Sequence, residues 1–217
     1  MSGLSGIGVF WAFSSFISSA ILCVGYFMPY WITGQLLIQL NGKSEQTVPV
    51  HFGIFRRCNY PALNAAGEVS VVLECGRYTT FKDIPSTSWQ ITTLVNGLAC
   101  GICLLVSLTA MFGVCIKGVV IPTVARSAGI LQMCSGLLMV TGVSIYPKGL
   151  DSPEIQQACG NTSRSYNLGD CSFSWCFYIT AVAIVVTLVC SALAFHAPKR
   201  KHVSNGESFL ARKFSGP

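Results

Sequence analysis

Charged positions in this chain fall in clusters, and the intervals between them are long and apolar. No lysine, arginine, aspartate or glutamate precedes Lys43, and none occurs in 84–116, 127–147 or 171–198. Each interval holds a run of about 18 or more mainly apolar residues, long enough to cross a hydrocarbon layer at about 1.5 Å per residue. The pattern predicts four membrane-spanning helices near 7–28, 90–116, 127–146 and 174–197. Local signals support the ends. In "FMPYW", Pro29 stops the first helix, and Tyr30 and Trp31 suit the headgroup level. Serines before Trp89 cap the second helix, and Pro198 follows the fourth.

The connecting segments differ in kind. Residues 29–89 form a connection far longer than two helices need. Within it "YWITGQLLIQL", "VPVHFGIF" and "VSVVLEC" are rich in β-branched and aromatic residues and partly alternate, and "NGK" and "NAAGE" read as turns. A small antiparallel sheet is expected, with Val69, Val71 and Leu73 inward and Glu74 and Arg77 toward water. The second long connection is 147–173, the link 117–126 is short, and the tail 198–217 reads as disordered.

Charge sets the orientation. The link carries Lys117 and Arg126, and the tail carries Lys199, Arg200, Lys201, Arg212 and Lys213 against Glu207. The two long connections balance seven basic with seven acidic residues. Positive residues mark the cytosolic side, so the link and both termini are expected in the cytosol of a multi-pass plasma-membrane protein. The net charge of +6 is thus mainly a topology signal, and no nucleic-acid partner is expected. A cleaved signal peptide is not expected either, because the first apolar stretch lacks a basic leader and exceeds the usual length.

The 11 cysteines then sort by compartment. Cys58 and Cys75 fall in the first exterior segment, Cys159 and Cys171 in the second. Thiols that meet an oxidising lumen pair. Of the three pairings four cysteines allow, Cys58–Cys75 and Cys159–Cys171 close the shortest loops. Cys23, Cys100, Cys103, Cys115, Cys134, Cys176 and Cys190 lie in or beside spans and read as small packing residues. Cys115, beside Lys117, is a candidate palmitoylation site. The "CGIC" spacing of Cys100 and Cys103 lacks nearby groups that would activate a thiol. In the second exterior segment Asn161 opens the glycosylation triplet "NTS".

No aspartate, glutamate, lysine or arginine lies inside a predicted span, and His196 sits at the cytosolic end of the last one, whereas transporters usually place ionisable groups at membrane depth. Catalysis, a cofactor and a metal site are not expected; His51 is the lone histidine of its segment. What remains is association with lipid and with another membrane protein, and a homo-oligomer is compatible with the same surfaces. Gly97 and Gly101 form a G-x-x-x-G step where two helix backbones can approach, within the bundle or against a partner helix. Gly129, Gly136, Gly142, Ser15 and Ser19 add small residues to other spans. Arg56, Arg57, Glu74, Arg77 and Lys82 are candidate extracellular contacts with a partner.

Trp31, Gly53–Phe55, Cys58 and Cys75 resemble the first exterior loop of the claudin and peripheral-myelin-protein superfamily. "FMPYW", "FGIFRRCNYP", "ECGRY", "IPSTSW", "IYPKGLDSPEI", "CGNTS" and "LGDCSFSW" resemble more closely the lipoma HMGIC fusion partner-like (LHFPL) tetraspan family. Leu150 stands where that family usually has tryptophan, and Cys176 where it has alanine. The resemblance implies a left-handed four-transmembrane-helix bundle topped by a small, disulfide-stapled, claudin-like extracellular antiparallel β-sheet. It also implies an accessory subunit that helps an ion channel or receptor assemble, traffic or stay at the surface, as members do with hair-cell mechanotransduction complexes and pentameric GABA receptors. The alternative is claudin-like cell–cell adhesion. Against it stand a tail ending "KFSGP", without a C-terminal hydrophobic residue, and exterior loops without a single-sign charge excess.

Overall fold

The computed structural model describes residues 4–40, 44–63, 69–116 and 118–197. The turns expected at 41–43 and 64–68, Lys117, and the tail 198–217 lie outside the described residues. Four helices are long and apolar enough to cross a membrane. Helix α1 (Gly6–Phe27) is capped by Ser5, whose Oγ accepts from the Gly8 amide at 3.1 Å, and it ends just before Pro29. Helix α2 (Thr87–Cys115) is capped by Ser86, which accepts from the Trp89 amide at 3.2 Å. Helix α3 (Pro122–Ile145) begins on a proline, which lacks only a hydrogen a first turn leaves unpaired anyway. It therefore starts before the charge-free interval and includes Arg126. A 3₁₀ turn over Tyr146–Asp151 and a short helix α4 (Pro153–Cys159) follow, and α5 (Trp175–Ala194) is the last span.

Helix α1 packs on α2 and α5, and α3 packs on the same two, closing a ring of four. Ser15, Ser18, Asn96, Gln132, Ser135, Thr187 and Ser191 are buried in this ring, whereas Thr123, Arg126, Ser127 and Thr141 of α3 are exposed. Trp11 Nε1 donates to Gln132 Oε1 at 3.0 Å, and Gln132 Nε2 donates to Ser15 Oγ at 2.9 Å. Ser18 Oγ and Thr187 Oγ1 lie 2.7 Å apart, and Ser135 Oγ donates to the Ala99 carbonyl at 2.7 Å. Leu, Val, Ile and Phe occupy the outside, as lipid requires, because an unpaired polar group in hydrocarbon costs several kcal/mol.

Above one end of the bundle sits a five-stranded sheet of order β4-β3-β2-β1-β5. The strands are β1 (Ile32–Leu40), β2 (Ser44–Phe52), β3 (Arg56–Leu63), β4 (Val69–Arg77) and β5 (Ser172–Phe173). The fold is thus a four-helix membrane bundle with a small antiparallel sheet. Strand β3 was not visible as a strand, since Pro61 and paired arginines interrupt it. Its ladder also shifts between Cys58 and Tyr60, where Asn59 takes φ 53°. Leu73, expected inward, is 66% exposed on edge strand β4.

The sheet and bundle share one core. Trp31, Phe52, Ile54, Trp89, Tyr146, Leu150 and Ile155 are all fully buried there. Trp31 Nε1 donates to the Gly25 carbonyl at 2.7 Å, and Trp89 Nε1 donates to the Tyr146 carbonyl at 3.0 Å. Gly53 is required at this junction: a Cβ on it would stand 2.6 Å from the Met28 carbonyl oxygen and 2.8 Å from Pro29 Cα. Leu150 and Cys176, the two departures from the family pattern, are buried in the same core.

Candidate docking surfaces

Disulfides join Cys58 to Cys75, across β3 and β4, and Cys159 to Cys171, between α4 and the approach to β5. By the chain-entropy model, loops of this length each contribute on the order of 3 kcal/mol. They hold the two long connections in shape, and one ion pair adds to the β1–β5 ladder that joins them to each other.

That ion pair is Arg57–Glu154, the single salt bridge among the described residues. The Arg57 guanidinium also lies 3.7 Å from the centroid of the Tyr60 ring and 4.5 Å from that of Tyr78, and the Tyr78 hydroxyl donates to Glu154 Oε2 at 3.4 Å. The β-bulge at Asn59 turns Tyr60 to the Arg57 side of the ladder. Burial pushes the Glu154 carboxyl above its ordinary range, and the adjacent guanidinium only partly offsets it. Burial and then Glu154 push the Tyr78 phenol well above its own. Arg57 is therefore an internal clamp between the two connections, and not a charge free for an outside partner.

The other exterior candidates separate into two places. Glu74 is exposed on β4, whose outer edge is unpaired. Arg56 and Arg77 are directly opposite in the β3–β4 ladder, and Arg56 Nη1 donates to the Phe27 carbonyl at 3.4 Å, at the end of α1. Exposed Lys82 lies in the 3₁₀ turn Phe81–Asp83 that leads to α2. His51 is half-buried edge-on to Tyr30, with ring centroids 5.0 Å apart. Its Nδ1 has no hydrogen-bond partner, and burial lowers its pKa.

Gly97 and Gly101 do not share a free face. A Cβ on Gly97 would lie 2.7 Å from Tyr26 Oη, so that position serves contact with α1, while nothing lies within 4 Å of the corresponding position on Gly101. Gly101 belongs to another set. Leu94, Leu98, Gly101, Leu105, Leu108 and Phe112 recur at alternating intervals of four and three along α2, and all are exposed. Tyr178, Val182, Val185 and Val189 repeat the same spacing on the exposed face of α5; what sets α2 apart is Gly101, a notch between leucines about 60% exposed or more. The glycines expected to matter in α3 face inward: a Cβ on Gly129 would meet Ser191, on Gly136 Leu188, and on Gly142 Asn96.

Asn161 is exposed in a turn after Gly160, while Ser163 of the same triplet is buried and donates to the Leu150 carbonyl at 2.8 Å. Cys115 is exposed at the last residue of α2. No cluster of three or more metal-ligating side chains occurs among the described residues.

Four apolar helices in a ring, a capping antiparallel sheet and a β3–β4 disulfide define a tetraspan membrane protein of claudin-like fold. The chain belongs to the lipoma HMGIC fusion partner-like family, whose model matches residues 7–200. It is 28% identical over 209 residues to the LHFPL tetraspan subfamily member 3 protein of Danio rerio, covering 95% of this chain and 88% of that protein. To the LHFPL tetraspan subfamily member 4 protein of Mus musculus it is 30% identical over 203 residues, covering 90% and 73%.

Proposed function

We propose that the protein is a non-catalytic accessory subunit that supports assembly, trafficking or surface stability of an ion-channel or receptor complex in the plasma membrane. In this reading the sheet is extracellular, both termini are cytosolic, Asn161 carries a glycan, and Cys115 is a candidate for acylation. The observation that carries the reading is the open Gly101 notch in the outer stripe of α2. A stripe at heptad spacing with a glycine notch lets a partner's transmembrane helix approach along several turns by van der Waals contact alone. Binding of the assembled complex by such a face stabilises it over its loose subunits by mass action. The exposed edge of β4, with Leu73 and Glu74, supplies a second point of contact outside the membrane. The family resemblance of the sequence implies a role of this kind.

The test is co-purification with co-expressed pentameric GABA receptor or hair-cell mechanotransduction subunits in mild detergent. Gly101→Leu fills the notch without touching this chain's own bundle, so the yield of complex should fall about tenfold, equivalent to about 1.4 kcal/mol. Gly97→Leu serves as the contrast, because it strikes Tyr26 and loosens the protein itself. An unchanged yield with Gly101→Leu would contradict the proposal.

A further inference from the structure

We infer that the membrane-side end of the sheet is a binding site for one phospholipid, held through its phosphodiester in the leaflet adjoining the sheet. The inference is independent of any protein partner and starts from a juxtaposition the fold imposes. Arg56 and Arg77 face each other in the β3–β4 ladder. Directly opposed residues lie about 5 Å apart at Cβ on the same face, and like charges there repel. Among the described residues the one salt bridge is Arg57–Glu154 on the other face, and none of their carboxylates pairs with Arg56 or Arg77. Glu74 forms no ion pair with either arginine. Asp83 is occupied locally, its Oδ2 accepting from the Thr80 amide at 2.7 Å.

One member of the pair, Arg77, lines a ready-made cleft. A hollow of about 230 Å³ is lined by Arg77, Phe55, Thr79, Thr80, Phe81 and Thr93. Its lining is mixed in the way a lipid headgroup and glycerol region require: one arginine, three threonines, the aromatic residues Phe55, Tyr78 and Phe81, and Ile84. Phe81 is 45% exposed, and Lys82 beside it is exposed as well.

The level of the cleft selects the source of the anion. Thr93 lies in the second turn of α2, and Phe55 packs on Tyr26 and Phe27 at the end of α1, with centroids 4.9 Å and 6.0 Å away. The Arg56 guanidinium reaches the Phe27 carbonyl. Exposed Trp175 and Tyr178 open α5 at the same end, and Trp175 stacks on Tyr30 at 5.8 Å. Such aromatic residues mark the headgroup layer. A phosphate there sits between opposed arginines, each able to give paired charge-assisted hydrogen bonds. The acyl chains continue down beside the exposed Phe27, Ile91 and Leu94.

The experiment is native mass spectrometry of the full chain released from nanodiscs containing phosphatidylcholine and diacylglycerol with identical acyl chains. The wild type should retain one phosphatidylcholine and no diacylglycerol, and excess inorganic phosphate should not displace it. Arg56→Gln with Arg77→Gln should reduce the retained fraction about tenfold, while Arg56→Lys with Arg77→Lys keeps most of it. Peptide mapping of both disulfides checks that each variant is folded. Equal retention of diacylglycerol, displacement by free phosphate, or wild-type retention by the folded glutamine pair would overturn the inference. If the glutamine pair does not fold, the diacylglycerol and phosphate arms on the wild type decide it.

Discussion

At the scale of single residues, the exterior charges divide by what surrounds them, and that division produces testable differences. Arg57 and Glu154 are 97 residues apart in sequence, so nothing local to "FRRCNY" shows that one arginine is clamped inside and its neighbour is not. Breaking a mostly buried pair leaves the surviving charge without compensation. With some solvent screening, Arg57→Ala is expected to cost about 2–3 kcal/mol of stability. Arg57→Ala combined with Glu154→Ala should recover part of it, and thermal unfolding of the singles and the double measures the coupling. An additive double would show that the pair is not a clamp. His51 gives a pH prediction. Burial holds its folded pKa below the ordinary value, so the neutral ring contributes stability above about pH 6.5 that is lost as pH falls through the lower folded value. Thermal stability should drop on acidification across that window, and His51→Gln should flatten the response. An unaltered slope in the variant would remove His51 as its source.

At the scale of elements, the helices were legible because their signal is local: a span must be apolar along its whole length, and four charge-free intervals say so. The sheet was only partly legible. β1, β2 and β4 carry β-branched and aromatic residues, whereas β3 depends on its neighbours and on the Cys58–Cys75 bridge to override Pro61 and the bulge at Asn59. The inward or outward aim of β4 also escaped the sequence. Alternation there does not say which side is covered, and Leu73 proves to be outside. The G-x-x-x-G step shows the same limit in α2. Small residues four apart announce a close approach, but only the packed ring shows that Gly97 meets Tyr26 while Gly101 opens outward as part of a different repeat.

At the scale of the whole molecule, the polarity of a soluble protein is reversed within the bundle and restored in the sheet. Ser, Thr, Gln and Trp hydrogen bonds fill the ring and leave an apolar exterior to lipid or to another helix, while the aromatic core under the sheet fixes the two bodies together. In the proposed reading a partner meets α2 in the membrane and β4 above it, and the inferred lipid sits between the sheet and the helix ends. The most direct measurement is photo-crosslinking from α2 in cells that co-express a candidate channel or receptor. A photoreactive residue at Leu98 or Leu105 should capture a channel or receptor subunit, and one at Val185 on the outer face of α5 should not. Equal capture from both helices, or capture from neither while the complex still co-purifies, would contradict a docking seam on α2.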